Sequence, residues 1–130
     1  MRCISYLAVV AMMMVSCGGG RSENDPKKVA VDYFTAYIKG DSKTMKRLST
    51  EDIEYKIELM KEEHESTKAF SKAIKYDFKN VEAKDYFTST DEKKEYLVSI
   101  PAYFGNDTMN IQKHVIVILV KGKWLVNYFD

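Results

Sequence analysis

The sequence predicts an α+β domain in which N-terminal helices pack on a curved, four-stranded antiparallel sheet. Between residues 25 and 74 the apolar residues recur every three or four positions, which places them on one face of a helix. After Tyr76 they recur every second position, as in a strand with one buried face. Helices first and strands afterwards favour a fold in which the helices cover one face of an antiparallel sheet.

The first residues are typical of an export signal that ends in a lipid anchor. Residues 4–15 form an apolar run of about a dozen residues, too short for a membrane-spanning helix, which takes roughly 20. Val15-Ser16-Cys17 resembles the bacterial lipobox, in which the cysteine thiol receives a diacylglycerol and the chain is cut just before it. The three glycines after Cys17 would form a flexible tether, which favours this anchor over an ordinary secretory signal with a chance cysteine.

The chain therefore divides into a signal peptide at 1–16, a tether at 17–24 and one domain at 25–130. We expect lipid at Cys17 to attach the domain to the bacterial cell envelope, on the outer membrane, facing the periplasm or the cell surface. Cys3 leaves with the signal, so the domain has no thiol for a disulfide and depends on its core alone.

The charge of the chain is balanced. Arg2 is the only charged side chain in residues 1–16, so removing it from the 20 basic residues leaves 19 against 19 acidic residues. A neutral domain without a basic stripe lacks the electrostatic footprint of a nucleic-acid-binding protein. We therefore expect no nucleic-acid partner.

The first predicted helix begins at Asp25-Pro26, where Asp can cap the free amides and Pro fits the first turn. Gly40 ends it, and Asp41 caps a short second helix. The stripe on these two helices comprises Val29, Ala30, Tyr33, Phe34, Tyr37, Ile38, Met45 and Leu48. Ser49 and Asp52 resemble a capping box for a further segment. This segment would be one long helix or two stacked ones with a stripe of Ile53, Ile57, Met60, His64, Thr67, Phe70 and Ile74.

Four strands are predicted at 79–87, 94–104, 108–120 and 123–129, with hairpin turns at Gly105-Asn106 and Lys121-Gly122. Pairing outward from these turns collects the core-facing residues Val81, Ala83, Phe87, Tyr96, Val98, Ile100, Met109, Ile111, Val115, Val117, Leu119, Trp124, Val126 and Tyr128. Pro101 cannot donate to a ladder, so it should lie opposite the start of the first strand, where pairing ends.

The outer face of the sheet carries an apolar patch, since residues 115–120 are apolar on both sides of the strand. This outer patch comprises Ile116, Ile118, Val120, Leu125 and Phe129. An exposed patch of this kind marks an interaction surface, and we expect a homodimer to cover it.

Helices followed by a meander that ends in GKWLVNYF resemble the nuclear transport factor 2-like superfamily, a cone of sheet wrapped on helices. The segment DPKKVAVDYFTAYIKGDSKTMKRLS is similar to the opening helices of small bacterial lipoproteins of unknown function that follow an SCGGG start. The resemblance implies the cone fold for residues 25–130 and pairing through the outer sheet face.

No catalytic signature stands out in the sequence. His64-Glu65 invites comparison with HExxH, but position 68 is Lys, so the second metal ligand is missing. With two histidines and no free cysteine in the domain, we expect no metal and no cofactor.

The candidate ligand-binding residues are the polar groups predicted on the core face, namely His64, Asp85, Tyr96 and Tyr128. The favoured hypothesis is a non-enzymatic module that binds a small apolar ligand in the cone or a protein partner on the sheet. Because the superfamily's isomerases and cyclases use a carboxylate or histidine with a tyrosine, the competing hypothesis is a lyase or isomerase with Asp85 or His64 as base. Each residue could also be a hydrogen-bonded structural group.

Overall fold

The computed structural model describes residues 25–87 and 89–130. The predicted signal peptide, the lipidation site Cys17 and the tether at 17–24 lie outside the described residues. Within the described part, no helix is both long and apolar enough to cross a membrane.

Helix α1 (Pro26–Lys39) forms as its caps predict. The Asp25 carboxylate accepts hydrogen bonds from the backbone amides of Lys27 and Lys28 at 3.1 and 3.3 Å. Gly40 ends the helix in the left-handed conformation, with φ of 75°. Helix α2 (Ser42–Leu48) follows, capped by the Asp41 side chain on the Thr44 amide.

The third helical region is divided, so the alternative of one long helix is wrong. It consists of a 3-10 turn (Glu51–Ile53), helix α3 (Tyr55–Ser66) and a single turn α4 (Lys68–Ser71). The capping box is wrong, because the Ser49 hydroxyl donates to the Met45 carbonyl at 2.8 Å instead. The break falls at Thr67, whose hydroxyl donates to the Glu63 carbonyl at 2.7 Å and so offers the backbone an alternative to continuing the helix.

The sheet is antiparallel, four strands wide and curled, with helices on one face, which confirms the predicted fold class. Its strands are β1 (Ile74–Tyr76), β2 (Glu82–Asp85), β3 (Lys93–Phe104), β4 (Asp107–Val120) and β5 (Lys123–Phe129). Strand β1 was not predicted; Ile74, expected on a helix, belongs to it. Strands β1 and β2 both pair with the same edge of β3. On the other side β3 pairs with β4, and β4 pairs with β5.

Pro101 lies where the edge of β3 is interrupted. Strand β1 pairs with residues 102–104 and β2 with residues 96–99, so Pro101 falls between them. Its carbonyl accepts a hydrogen bond from the Asp77 amide at 2.9 Å. Because neither β1 nor β2 pairs with β3 at this position, the sheet does not need the amide hydrogen that proline lacks.

The core lies between α1 and the inner face of the sheet, where α1 packs against β2 to β5. Buried side chains from the helices and from the strands join there in one hydrophobic cluster. The buried strand residues are Tyr96, Val98, Ile100, Ala102, Val115, Val117, Trp124, Val126 and Phe129.

The predicted register of β5 is wrong at its end. Val117 pairs with Val126, but Ile116 pairs with Tyr128, so Asn127 is an extra residue in a bulge. The bulge turns Phe129 into the core, out of the predicted outer patch, and moves Tyr128 to the outer face, where it is 41% exposed.

Three other residues predicted on the core face are exposed. Phe87 is 71% exposed, and Met109 and Leu119 are each 39% exposed. They lie near strand ends, at or beyond the margin of the buried cluster formed by the helices and the middle of the sheet.

Candidate functional site

The four residues predicted to bind a ligand lie in three different places. Asp85 pairs with Tyr96 across β2 and β3, as predicted, but Asp85 is exposed at the end of its strand rather than inside the core. Tyr128 lies on the outer face, with its ring 5.1 Å from that of His114. His64 lines a large cleft, and the described lining of that cleft includes none of the other three residues.

Tyr96 lies close to the start of α1. The Lys27 amine is 5.9 Å from the centre of its ring. Burial, followed by the nearby charges of Asp85 and Asp25, raises the pKa of Tyr96 to about 12. Tyr96 is therefore a protonated core residue whose hydroxyl stays neutral at ordinary pH.

The cleft opens at the other end of α1, between α3, α4, β1 and the first half of β4. Its volume is about 510 Å³, within the range of small-molecule sites. The lining residues are Tyr37, Ile38, Lys39, Glu63, His64, Thr67, Phe70, Ser71, Lys72, Ile74, Tyr76, Ile111 and Lys113.

A hydrogen-bonded group joins α1 to α3 at the wall of the cleft. The Tyr37 hydroxyl donates to the Glu63 carboxylate. The Nε2 of His64 donates to the Tyr37 carbonyl at 3.0 Å, since a carbonyl oxygen can only accept. Burial and then the Glu63 contact raise the pKa of Tyr37, so its hydroxyl is a hydrogen-bond donor and not a base.

Gly40 leaves room for this arrangement. A Cβ atom at position 40 would lie 3.3 Å from His64 Nδ1, and the left-handed backbone there disfavours side chains in any case. The residue that ends α1 thus also allows His64 to reach the helix end.

The cleft combines apolar walls with lysines. Its apolar side chains include Ile74, Ile111 and the half-exposed Phe70, whose ring lies 4.9 Å from that of Phe104. Lys113 reaches in from β4, with its amine 5.4 Å from the centre of the Tyr37 ring. Lys39 and Lys72 stand at the rim, and Glu63 is the one carboxylate in the lining.

Tyr37, Glu63 and Lys113 also line a second cavity of about 300 Å³, between α3 and the end of β5. These three side chains therefore form a partition between two cavities. Within residues 25–87 and 89–130, no group of three His, Cys, Asp or Glu side chains is placed to hold a metal ion.

Sequence reasoning found His64 but missed the rest of this group. The sequence places Tyr37 in the core stripe of α1, and neither Glu63 nor Lys113 is among the predicted site residues. The available signal was the position of Tyr37, a polar aromatic residue in the last turn before the Gly40 break.

Neither a protein-family model nor a curated protein matches the chain. A crystal structure of a protein of unknown function from Bacteroides thetaiotaomicron VPI-5482 is similar, with 19% sequence identity and a TM-score of 0.57. The match covers 85% of this chain and 92% of that one. The chain therefore shares its α+β architecture, helices on a curled antiparallel sheet, with that bacterial protein.

Proposed function

We propose that the protein is a lipid-anchored binding module that takes a small ligand with an apolar body into the cleft at the open end of α1. The observation that carries the proposal is the cleft itself: about 510 Å³, walled by Ile74, Tyr76 and Ile111, with a few polar groups directed into it.

Binding is favoured over the competing lyase or isomerase function. Asp85 is exposed beyond the core, away from the cleft, so it cannot act with His64 on one substrate. The Tyr37 hydroxyl is committed to Glu63, and burial keeps it protonated. A hydroxyl that stays protonated is a hydrogen-bond donor and not a base, so it supports ligand binding rather than proton abstraction.

The test uses residues 25–130 and the neutral fluorescent probe N-phenylnaphthylamine. We expect saturable binding at one site. Ser71→Trp, which fills the cleft, should weaken binding about tenfold or more. The control Gln112→Trp adds the same ring to an exposed position of β4 outside the cleft and should leave binding unchanged. Equal binding by both variants would show that the probe lies elsewhere.

The anchor is a separate part of the proposal. Protein extracted from membranes should lack residues 1–16 and gain acyl chains on Cys17, measured as intact mass. Unchanged processing and membrane association of Cys17→Ala would rule out the anchor.

We also propose that the outer face binds a second copy of the chain. Without Phe129, the outer patch keeps four partly exposed aliphatic residues, namely Ile116, Ile118, Val120 and Leu125. At the edge of the patch the Lys93 amine lies 3.9 Å from the Glu95 carboxylate. In a two-fold dimer this edge would therefore bring both a positive and a negative charge from each copy to the interface. Sedimentation should show a dimer of residues 25–130 that Ile118→Lys dissociates, and a monomer at high concentration would contradict it.

A further inference from the structure

We infer that the ligand of this cleft is an amphipathic anion, a small molecule with an apolar body and a carboxylate or similar acidic head, bound by Lys72 and Lys113. The inference rests on the proposed function and specifies its ligand class.

The first support is the local charge of the cleft. Its lining carries Lys39, Lys72 and Lys113 against one carboxylate, Glu63. Glu63 already accepts the Tyr37 hydroxyl. The whole chain has a formal net charge of only +1, so this excess of cations is a property of the cleft and not of the protein.

The second support is that the lysines are available to an anion. Among the residues that the structure describes, Lys39, Lys72 and Lys113 form no ion pair, whereas Lys28, Lys56, Lys61 and Lys93 do. Lys113 is half-buried, with its amine 5.4 Å from the Tyr37 ring centre and 5.9 Å from that of Phe129. Two ring faces thus favour a charged amine at the cleft wall, and that amine retains donors for a ligand.

The third support is the arrangement of apolar and basic groups. Ile74, Tyr76 and Ile111 form one wall, while Lys39 and Lys72 stand at the exposed rim. A ligand body on the apolar wall would leave its acidic head within the reach of the lysines. A neutral ligand would leave these amines unused, and a cation would be repelled by them.

A matched pair of probes tests the inference. Anilinonaphthalene sulfonate carries a sulfonate on the skeleton of the neutral N-phenylnaphthylamine. On residues 25–130 we expect the anion to bind about tenfold more tightly than the neutral probe. The double variant Lys72→Gln/Lys113→Gln should remove this preference while binding of the neutral probe stays within about twofold.

The control is Lys75→Gln/Lys84→Gln, which removes the same two charges from exposed positions on strands β1 and β2, outside the cleft. It should keep the preference for the anion. If the control loses the preference as well, long-range charge is responsible and the inference is overturned.

The remaining outcomes separate the inference from the proposed function. If the two probes bind equally and the lysine variant changes neither affinity, the inference of an anionic ligand is overturned, while the proposed binding function stands. Binding of neither probe overturns the module itself. Sedimentation with phosphatidylglycerol vesicles that depends on Lys72 and Lys113 would assign these lysines to a membrane surface and also overturn the inference.

Discussion

Two tyrosines one turn apart on α1 show how the two ends of the interior differ. Tyr33 is fully buried, with its ring 5.0 Å from that of Phe129. Tyr37 contacts the same ring at 4.9 Å but is only half-buried and borders the cleft. Among the described residues, the Tyr33 hydroxyl has no hydrogen-bond partner, whereas that of Tyr37 donates to Glu63.

The difference lies in how completely the side chains around each tyrosine are packed. Tyr33 belongs to the buried cluster that also contains the fully buried Phe34, Leu48 and Val126. Around Tyr37 the side chains of α3, α4, β1 and β4 are not packed together and leave the cleft of about 510 Å³. The closed end therefore stabilises the fold, and the open end holds the candidate site.

The largest effect that tests this division is on stability. Phe34→Ala at the closed end should lower the free energy of unfolding by about 3–5 kcal/mol, since it leaves a cavity in a packed core. The control Phe70→Ala removes the same ring from the open end, where it is 53% exposed, and should cost less than about 1 kcal/mol. Urea unfolding measures both, and equal losses would contradict the division.

The second effect is on the pH dependence of stability. Burial, with a smaller contribution from Tyr55, raises the pKa of Tyr33 from 10.0 to about 12. A pKa raised in the folded state means that stability is complete below pH 10 and falls between pH 10 and about 12, because the unfolded chain ionises first. The loss from Tyr33 is on the order of 2–3 kcal/mol.

Urea unfolding at each pH, with tyrosinate absorbance, measures this loss. Tyr33→Phe should make the decline shallower without abolishing it, since the pKa of Tyr37 and Tyr96 is raised as well. If Tyr33→Phe leaves the loss of stability at high pH unchanged, groups other than Tyr33 cause that loss.

The smallest effect has opposite signs at the two tyrosines. Tyr37→Phe removes the hydrogen bond to Glu63 and should lower the free energy of unfolding by about 1 kcal/mol. Tyr33→Phe removes a buried hydroxyl that has no partner among the described residues, so below pH 10 stability should be unchanged or raised by up to about 1 kcal/mol. If both variants change the free energy of unfolding by the same amount and in the same direction, the two hydroxyls do not differ as proposed.

The sequence by itself determined the features that depend on neighbours along the chain. Asp25 begins α1 and Gly40 ends it, as predicted, because a cap is made by residues within one turn of the helix end. The hairpin turns follow from Gly105 and Gly122, which take the positive φ values of 61° and 83°. The change from helical to strand period fixed the fold class and most of the inward-facing residues.

Only the tertiary structure decided the features that depend on distant partners. The bulge at Asn127 accompanies a hydrogen bond from its side chain to the Thr50 hydroxyl at 3.0 Å, and this reverses Tyr128 and Phe129. The cleft likewise joins Tyr37 of α1, Glu63 of α3 and Lys113 of β4, which no spacing in the sequence relates. Local preferences are set by backbone geometry within a few residues. A cleft instead depends on how closely segments that are far apart in the sequence pack against one another.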